Sequence, residues 1–147
     1  MPKVKTAWNS CKQLVEGKVW IGGLGDMTSL IEKEHCQVIV DLRAEKVLTG
    51  KEHPLHYVQI PIAADTENQQ QRIRQAVDWI GEMAETGYRL GLHCSEDRSR
   101  TACVATGVLI RLGCAATIHE AQKKLHNLWP DCGTDVKLLA SLHDLYP

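Results

Sequence analysis

His93-Cys94-Ser95-Glu96-Asp97-Arg98-Ser99-Arg100-Thr101 is the stretch on which the fold turns. Before it stands the run Arg89-Leu90-Gly91-Leu92, and after it Ala102, Cys103, Val104, Ala105, Val108, Leu109 and Ile110 are apolar almost all round. The first run predicts a strand that delivers His93 and Cys94 to its C-terminal end. The second predicts a buried central helix from Thr101 to Leu112, ended by Gly113. A cysteine six positions before an arginine at a strand-to-helix turn implies a definite chemistry. Helix N-terminal amides and a fixed cation both depress a thiol pKa and bind an oxyanion. A thiolate at Cys94 can therefore attack a phosphorus atom whose oxygens are held by Arg100 and by backbone N–H groups of the turn.

Working outward, Val38-Ile39-Val40-Asp41-Leu42 is nearly all apolar and β-branched, as expected of a strand buried on both faces of a parallel sheet. Lys18-Val19-Trp20-Ile21, closed by Gly22-Gly23, and Tyr57-Val58-Gln59-Ile60, ended by Pro61, predict two further strands. Helices are expected over Thr28 to Glu34 and from the capping-box spacing Thr66-Glu67-Asn68-Gln69 onward. In the latter, Ile73, Ala76, Val77, Ile80, Met83 and Ala84 recur at helical intervals up to Gly87. Thr117-Ile118-His119-Glu120 is a second capping box, opening a helix closed by Pro130, and a final amphipathic helix is expected over Asp135 to Leu145. Residues Arg43 to His56, polar and with Gly50 and Pro54, read as a loop or a ragged helix. Strands alternating with helices predict an α/β fold: a mostly parallel central sheet of four to five strands flanked by helices, with ligands bound beyond the carboxyl ends of the strands.

Composition bounds the function. A chain of 147 residues fits one domain, 1–147, with a core of its own. The 17 basic and 18 acidic residues give a formal charge of -1, so anion recognition has to be local, and neither nucleic acid nor an anionic membrane is expected as a partner. Six scattered cysteines form no CxxC pair, and Cys36, Cys103 and Cys114 sit among residues that read as regular structure, which favours a reducing compartment. Met1 to Trp8 has two lysines and a proline but no apolar h-region, so no signal peptide is read there and a cytoplasmic location is expected. His53 with His56 and His119 with His126 lack the supporting ligands of a metal site, and no metal or other cofactor is expected. Trp8, Trp20, Trp79 and Trp129 are read as packing residues, since no basic stripe accompanies them.

The sequence His93-Cys94-x5-Arg100-Thr101 resembles the signature of the cysteine-dependent protein tyrosine phosphatase superfamily, and the chain length suits its compact dual-specificity branch. Val19-Trp20-Ile21-Gly22, Asp41-Leu42 and Tyr57-Val58-Gln59-Ile60-Pro61-Ile62 look like the strands of that branch, so the resemblance covers Val19 to Leu145. It implies a phosphotyrosine protein phosphatase-like fold and a monomer acting on a phosphorylated protein or a small phosphorylated substrate. It further implies that Cys94 is the nucleophile and Arg100 the phosphate clamp. His93 would support the thiolate, and Thr101 would ease loss of sulfur in the second step. Ser95, Glu96, Asp97, Arg98 and Ser99 would line the phosphate with backbone amides. Asp65 matches the general acid, with Glu67, Glu96 and Asp97 as rival carboxyls.

Two features keep other readings in play. The family usually has glycine where this chain has Asp97, preceded by Glu96, and two carboxylates beside the thiolate suit a catalytically weak or silent phosphate-binding module. A sulfur-transfer or arsenate-reducing protein with the same anion loop leaves Asp65 and Thr101 without a task. Cys94 as a structural core thiol leaves Arg100 without one. Cys103 and Cys132 are read as core and loop thiols rather than as disulfide partners of Cys94.

Overall fold

The computed structural model describes residues 12–22, 35–42, 56–60, 62, 69–93, 99–130 and 136–146. Five strands, β1 (Lys12–Val15), β2 (Val19–Gly22), β3 (Val38–Asp41), β4 (His56–Gln59) and β5 (Leu90–His93), form one sheet in the order β1-β2-β5-β3-β4. Four helices accompany them: α1 (Gln69–Thr86), α2 (Ser99–Arg111), α3 (Ile118–Leu128) and α4 (Val136–Leu145). The pairings of β2 with β5, β5 with β3 and β3 with β4 are parallel, and β1 pairs antiparallel with β2.

β1 is an element that the sequence reading missed. Its residues Lys12-Gln13-Leu14-Val15 are half polar, so they carry no strong strand pattern, and it is held by the hairpin with β2 and by Leu14 and Val15, which join the core. The Gly17 N–H donates to Gln13 Oε1 at 2.6 Å and the Lys18 N–H donates to the Val15 carbonyl at 2.9 Å, which closes the turn. The expected helix over Thr28 to Glu34 lies outside the described residues, as do Thr66, Glu67 and Asn68 of the first capping box. Of the irregular stretch expected over Arg43 to His56, residues 43–55 also lie outside them, and His56 is instead the first residue of β4, where it pairs with Val38.

Strand alternation sorts the sheet into two faces. Val19, Ile21, Val38, Val40, Leu90 and Leu92 join one core with Ile73, Ala76, Val77, Ile80 and Ala84 of α1. Trp20 and Ile39 are also buried but stand outside that cluster, on the opposite face. There Arg89 lies 4.4 Å over the Trp20 ring. Each fully buried aliphatic side chain contributes about 1.5–3 kcal/mol through removal from water.

α2 is buried at every position from Thr101 to Leu109 because it touches α1, α3, α4 and β1. Its end follows the expected glycine: Gly113 has φ 79°, and the Cys114 and Gly113 N–H groups donate to the carbonyls of Leu109 and Ile110, a Schellman closure. At the start of α3, Thr117 Oγ1 accepts from the Glu120 N–H at 3.1 Å and Glu120 Oε1 accepts from the Ala116 N–H at 2.8 Å. Both halves of the expected box therefore form, with the carboxylate reaching one residue further back than the usual pattern. Cys36 and Cys103 are buried free thiols and Cys114 is half-buried. Only Cys103 of these three sits inside a helix or strand, since Cys36 precedes β3 and Cys114 follows α2. Among the described residues no helix is long and apolar enough to cross a membrane.

Candidate active site

β5 is the middle strand of the five, so its C-terminal end lies between those of β2 and β3. The last row of the sheet is in register there: Gly22 opposite His93, His93 opposite Asp41, and Asp41 opposite Gln59. Directly beyond His93 the chain has only positions 94–98 before Ser99 opens α2. So short a connection keeps the N-terminus of α2 close to the end of β5.

Ser99 and Thr101 are buried, Thr101 completely, and Arg100 is half-buried between them in the first turn. The amides of that turn lack partners within the helix, and they carry the positive end of its dipole. A second helix begins at the same edge of the sheet. The N–H groups of Ile60 and Ile62 donate to the carbonyls of Asp41 and Leu42 at 2.9 and 3.1 Å, so β4's pairing with β3 extends past the strand. The chain then returns as α1 at Gln69.

Of the residues singled out in the sequence, the structure thus brings His93, Ser99, Arg100 and Thr101 to one strand-to-helix junction. Cys94, Ser95, Glu96, Asp97, Arg98 and the expected acid Asp65 lie outside the described residues. Two further polar residues at this edge are buried, Asp41, which was not singled out, and Gln69, which was expected to close the first capping box. Asp41 is fully buried at the end of β3, and Gln69, 8% exposed at the start of α1, has no hydrogen-bond partner for its side-chain amide among the described residues. A signal existed for Asp41, as the one charge in a run expected to be buried on both faces. For Gln69 the capping-box spacing was legible, but not the burial of its side chain.

Burial pushes the Cys103 thiol up to about 12, so it stays protonated and unreactive within the core. Among the described residues no group of three or more His, Cys, Asp or Glu side chains is arranged to hold a metal ion.

A mixed five-stranded sheet with its central strand leading into a buried helix defines the class: the chain has the fold of the dual-specificity and protein tyrosine phosphatases. It is similar to human DUSP28, with a TM-score of 0.78 over 93% of each chain at 13% identity. It is also similar to a mouse putative dual specificity phosphatase complexed with zinc tungstate, with a TM-score of 0.78 over 93% of this chain and 86% of that one at 17% identity. A third neighbour is the human tyrosine phosphatase-like serine/threonine/tyrosine-interacting protein, with a TM-score of 0.75 over 92% and 94% of the two chains at 13% identity. At these identities the likeness is one of fold. No protein-family model and no curated sequence matches the chain.

Proposed function

We propose that the chain is a single-domain cysteine-dependent phosphatase, a cytoplasmic monomer that hydrolyses phosphate monoesters through a phosphocysteine. Its substrates are phosphorylated proteins, on tyrosine or on serine and threonine, with small phosphorylated metabolites behind them. The observation that carries the reading is the junction of β5 and α2. Five residues, the first of them Cys94, separate the end of β5 from a helix start bearing Arg100 and the buried Thr101.

In the first step the Cys94 thiolate attacks phosphorus and the bond to the leaving oxygen breaks. Asp65 gives that oxygen its proton. Arg100 holds two phosphoryl oxygens as a planar fork, and the amides of the turn and of the first turn of α2 hold the remaining charge. In the second step water attacks the phosphocysteine, Asp65 takes the water's proton, and sulfur leaves as thiolate with help from a Thr101 hydrogen bond. Inorganic phosphate is released.

Glu96 and Asp97 favour one other reading, a silent module of the same fold that holds phosphorylated partners without turning them over. The similarity to a phosphatase-like interacting protein is in keeping with it. One assay separates the two. The purified chain is expected to hydrolyse an aryl phosphate, to be inhibited by vanadate, and to lose turnover on Cys94→Ser. Asp65→Asn is expected to cost roughly 10²–10⁴-fold with poor leaving groups and much less with good ones. Activity that survives Cys94→Ser overturns the phosphatase reading, and phosphopeptide binding without turnover by the wild type establishes the module.

A further inference from the structure

Gln13-Leu14-Val15-Glu16 mixes polar with apolar residues, and the fold uses the mixture at an edge of the sheet. β1 touches α2 and α3, and a cleft of about 440 Å³ lies among the three elements. That volume falls in the range of small-molecule sites. Each element contributes one leucine to its apolar lining: Leu14 from β1, Leu109 from α2 and Leu128 from α3. Leu14 and Leu109 are buried and Leu128 is half-buried, and all three pack in the core, so the apolar surface is held in place. The half-buried Cys114, just past the end of α2, completes that lining.

Two charges of opposite sign stand on the cleft wall. Lys124 of α3 donates from Nζ to the Cys114 carbonyl at 2.5 Å, which fixes the ammonium there and leaves it two further N–H donors. Glu16, exposed in the turn after β1, is the carboxylate of the lining. Among the described residues no ion pair joins Glu16 to Lys124. Neutral polar groups accompany them: the exposed Asn127 amide, and the Gln13 amide, whose Oε1 is engaged by the Gly17 N–H at 2.6 Å.

A fixed cation and a carboxylate beside an apolar surface are complementary to a zwitterion with an apolar side chain. We propose that this cleft binds an apolar α-amino acid, its carboxylate on Lys124, its ammonium on Glu16 and its side chain on the three leucines. A ligand with a carboxylate alone would bring an anion up to Glu16, and one with an amine alone a cation up to Lys124. Like-charge approach penalises both, so the cleft discriminates in favour of the zwitterion. From Ser99 to Leu109, α2 rises about 15 Å, so the cleft stands at the far end of the helix from Arg100. The proposal is independent of the phosphatase reading, and binding alone tests it.

NMR titration of the intact chain with L-phenylalanine provides the test, with 3-phenylpropionate and 2-phenylethylamine as the analogues that lack the ammonium and the carboxylate. L-phenylalanine is expected to bind roughly threefold to tenfold tighter than either analogue, and Lys124→Gln and Glu16→Gln each to weaken it by a similar factor. Both side chains are exposed, so the variants are expected to keep the fold and report on binding. Glu16→Gln is expected to leave 3-phenylpropionate bound at least as well as before. Saturating L-phenylalanine is expected to slow alkylation of Cys114 by iodoacetamide, which locates the ligand. Absence of phenylalanine binding, equal binding of the three compounds, affinity unchanged in both variants, or Cys114 alkylated at an unaltered rate each overturns the proposal.

Discussion

Gly107 of α2 stands so close to α1 that a Cβ built on it would lie 2.6 Å from Val77 Cγ2. The helix that carries Arg100 and Thr101 is thereby seated against a neighbour whose Val77 is itself fully buried. A glycine in mid-helix costs roughly 0.5–1 kcal/mol against alanine, and the close approach of the two helices offsets that cost.

Gly107→Ala is expected to lower stability by about 1–2 kcal/mol. Forcing a methyl group into this contact costs about 1–3 kcal/mol, more than the gain in helix propensity returns. Urea unfolding measures it, and an unchanged or raised midpoint would show that the two helices separate without cost.

The other end of α2 is tied to α1 by charge. Arg111 donates from Nη1 to Glu85 Oε2 at 2.9 Å and from Nη2 to Glu85 Oε1 at 3.3 Å, while its Nε lies 3.7 Å from Asp78 Oδ1. The hydrogen bonds and charge of Arg111 hold the Glu85 carboxyl below its usual 4.5. A carboxyl lowered in the folded state stabilises the fold in full above 4.5 and loses that contribution as pH falls through the folded value. Glu85→Gln is therefore expected to melt slightly below the wild type at pH 7, with the difference vanishing in strong acid. Because the pair is exposed, the effect is small and shrinks with added salt. Thermal melts of both proteins across pH check this, and a difference that persists at the acid end would assign the effect to packing.

Cys103 is expected to resist alkylation. Its thiol is buried in α2 and pushed up to about 12, so almost no thiolate exists near neutrality. Iodoacetamide at pH 8 should leave Cys103 unmodified in the native protein and modify it in urea, as peptide mass mapping will report. Native-state labelling at the rate of the half-buried Cys114 would show that α2 opens readily.

Much of the architecture was legible locally. The β-branched run Val38 to Leu42 and the helical spacing from Ile73 to Ala84 appear where the patterns put them, within a residue or two at their ends. Gly87 and Gly113 end their helices with φ of 111° and 79°, because the turn needs a left-handed residue there. β1 was not legible: an edge strand of four residues, half of them polar, has little pattern of its own and depends on its partner. Of the candidate site, the spacing of Cys94 and Arg100 could be read, and so could a helix, expected from Thr101, that begins two residues earlier, at Ser99, while Asp41 looked like the end of a buried strand.

The sequence by itself determined the segments of β2 to β5 and of the four helices, and the six-position step from Cys94 to Arg100, because period, caps and spacing are properties of short stretches of chain. Only the tertiary structure decided that β5 lies between β2 and β3, that Asp41 is in register with His93, and that Gly107 meets Val77. Those relationships join residues dozens of positions apart. They follow from how the strands pair and how the helices close over one shared core, which no local pattern specifies.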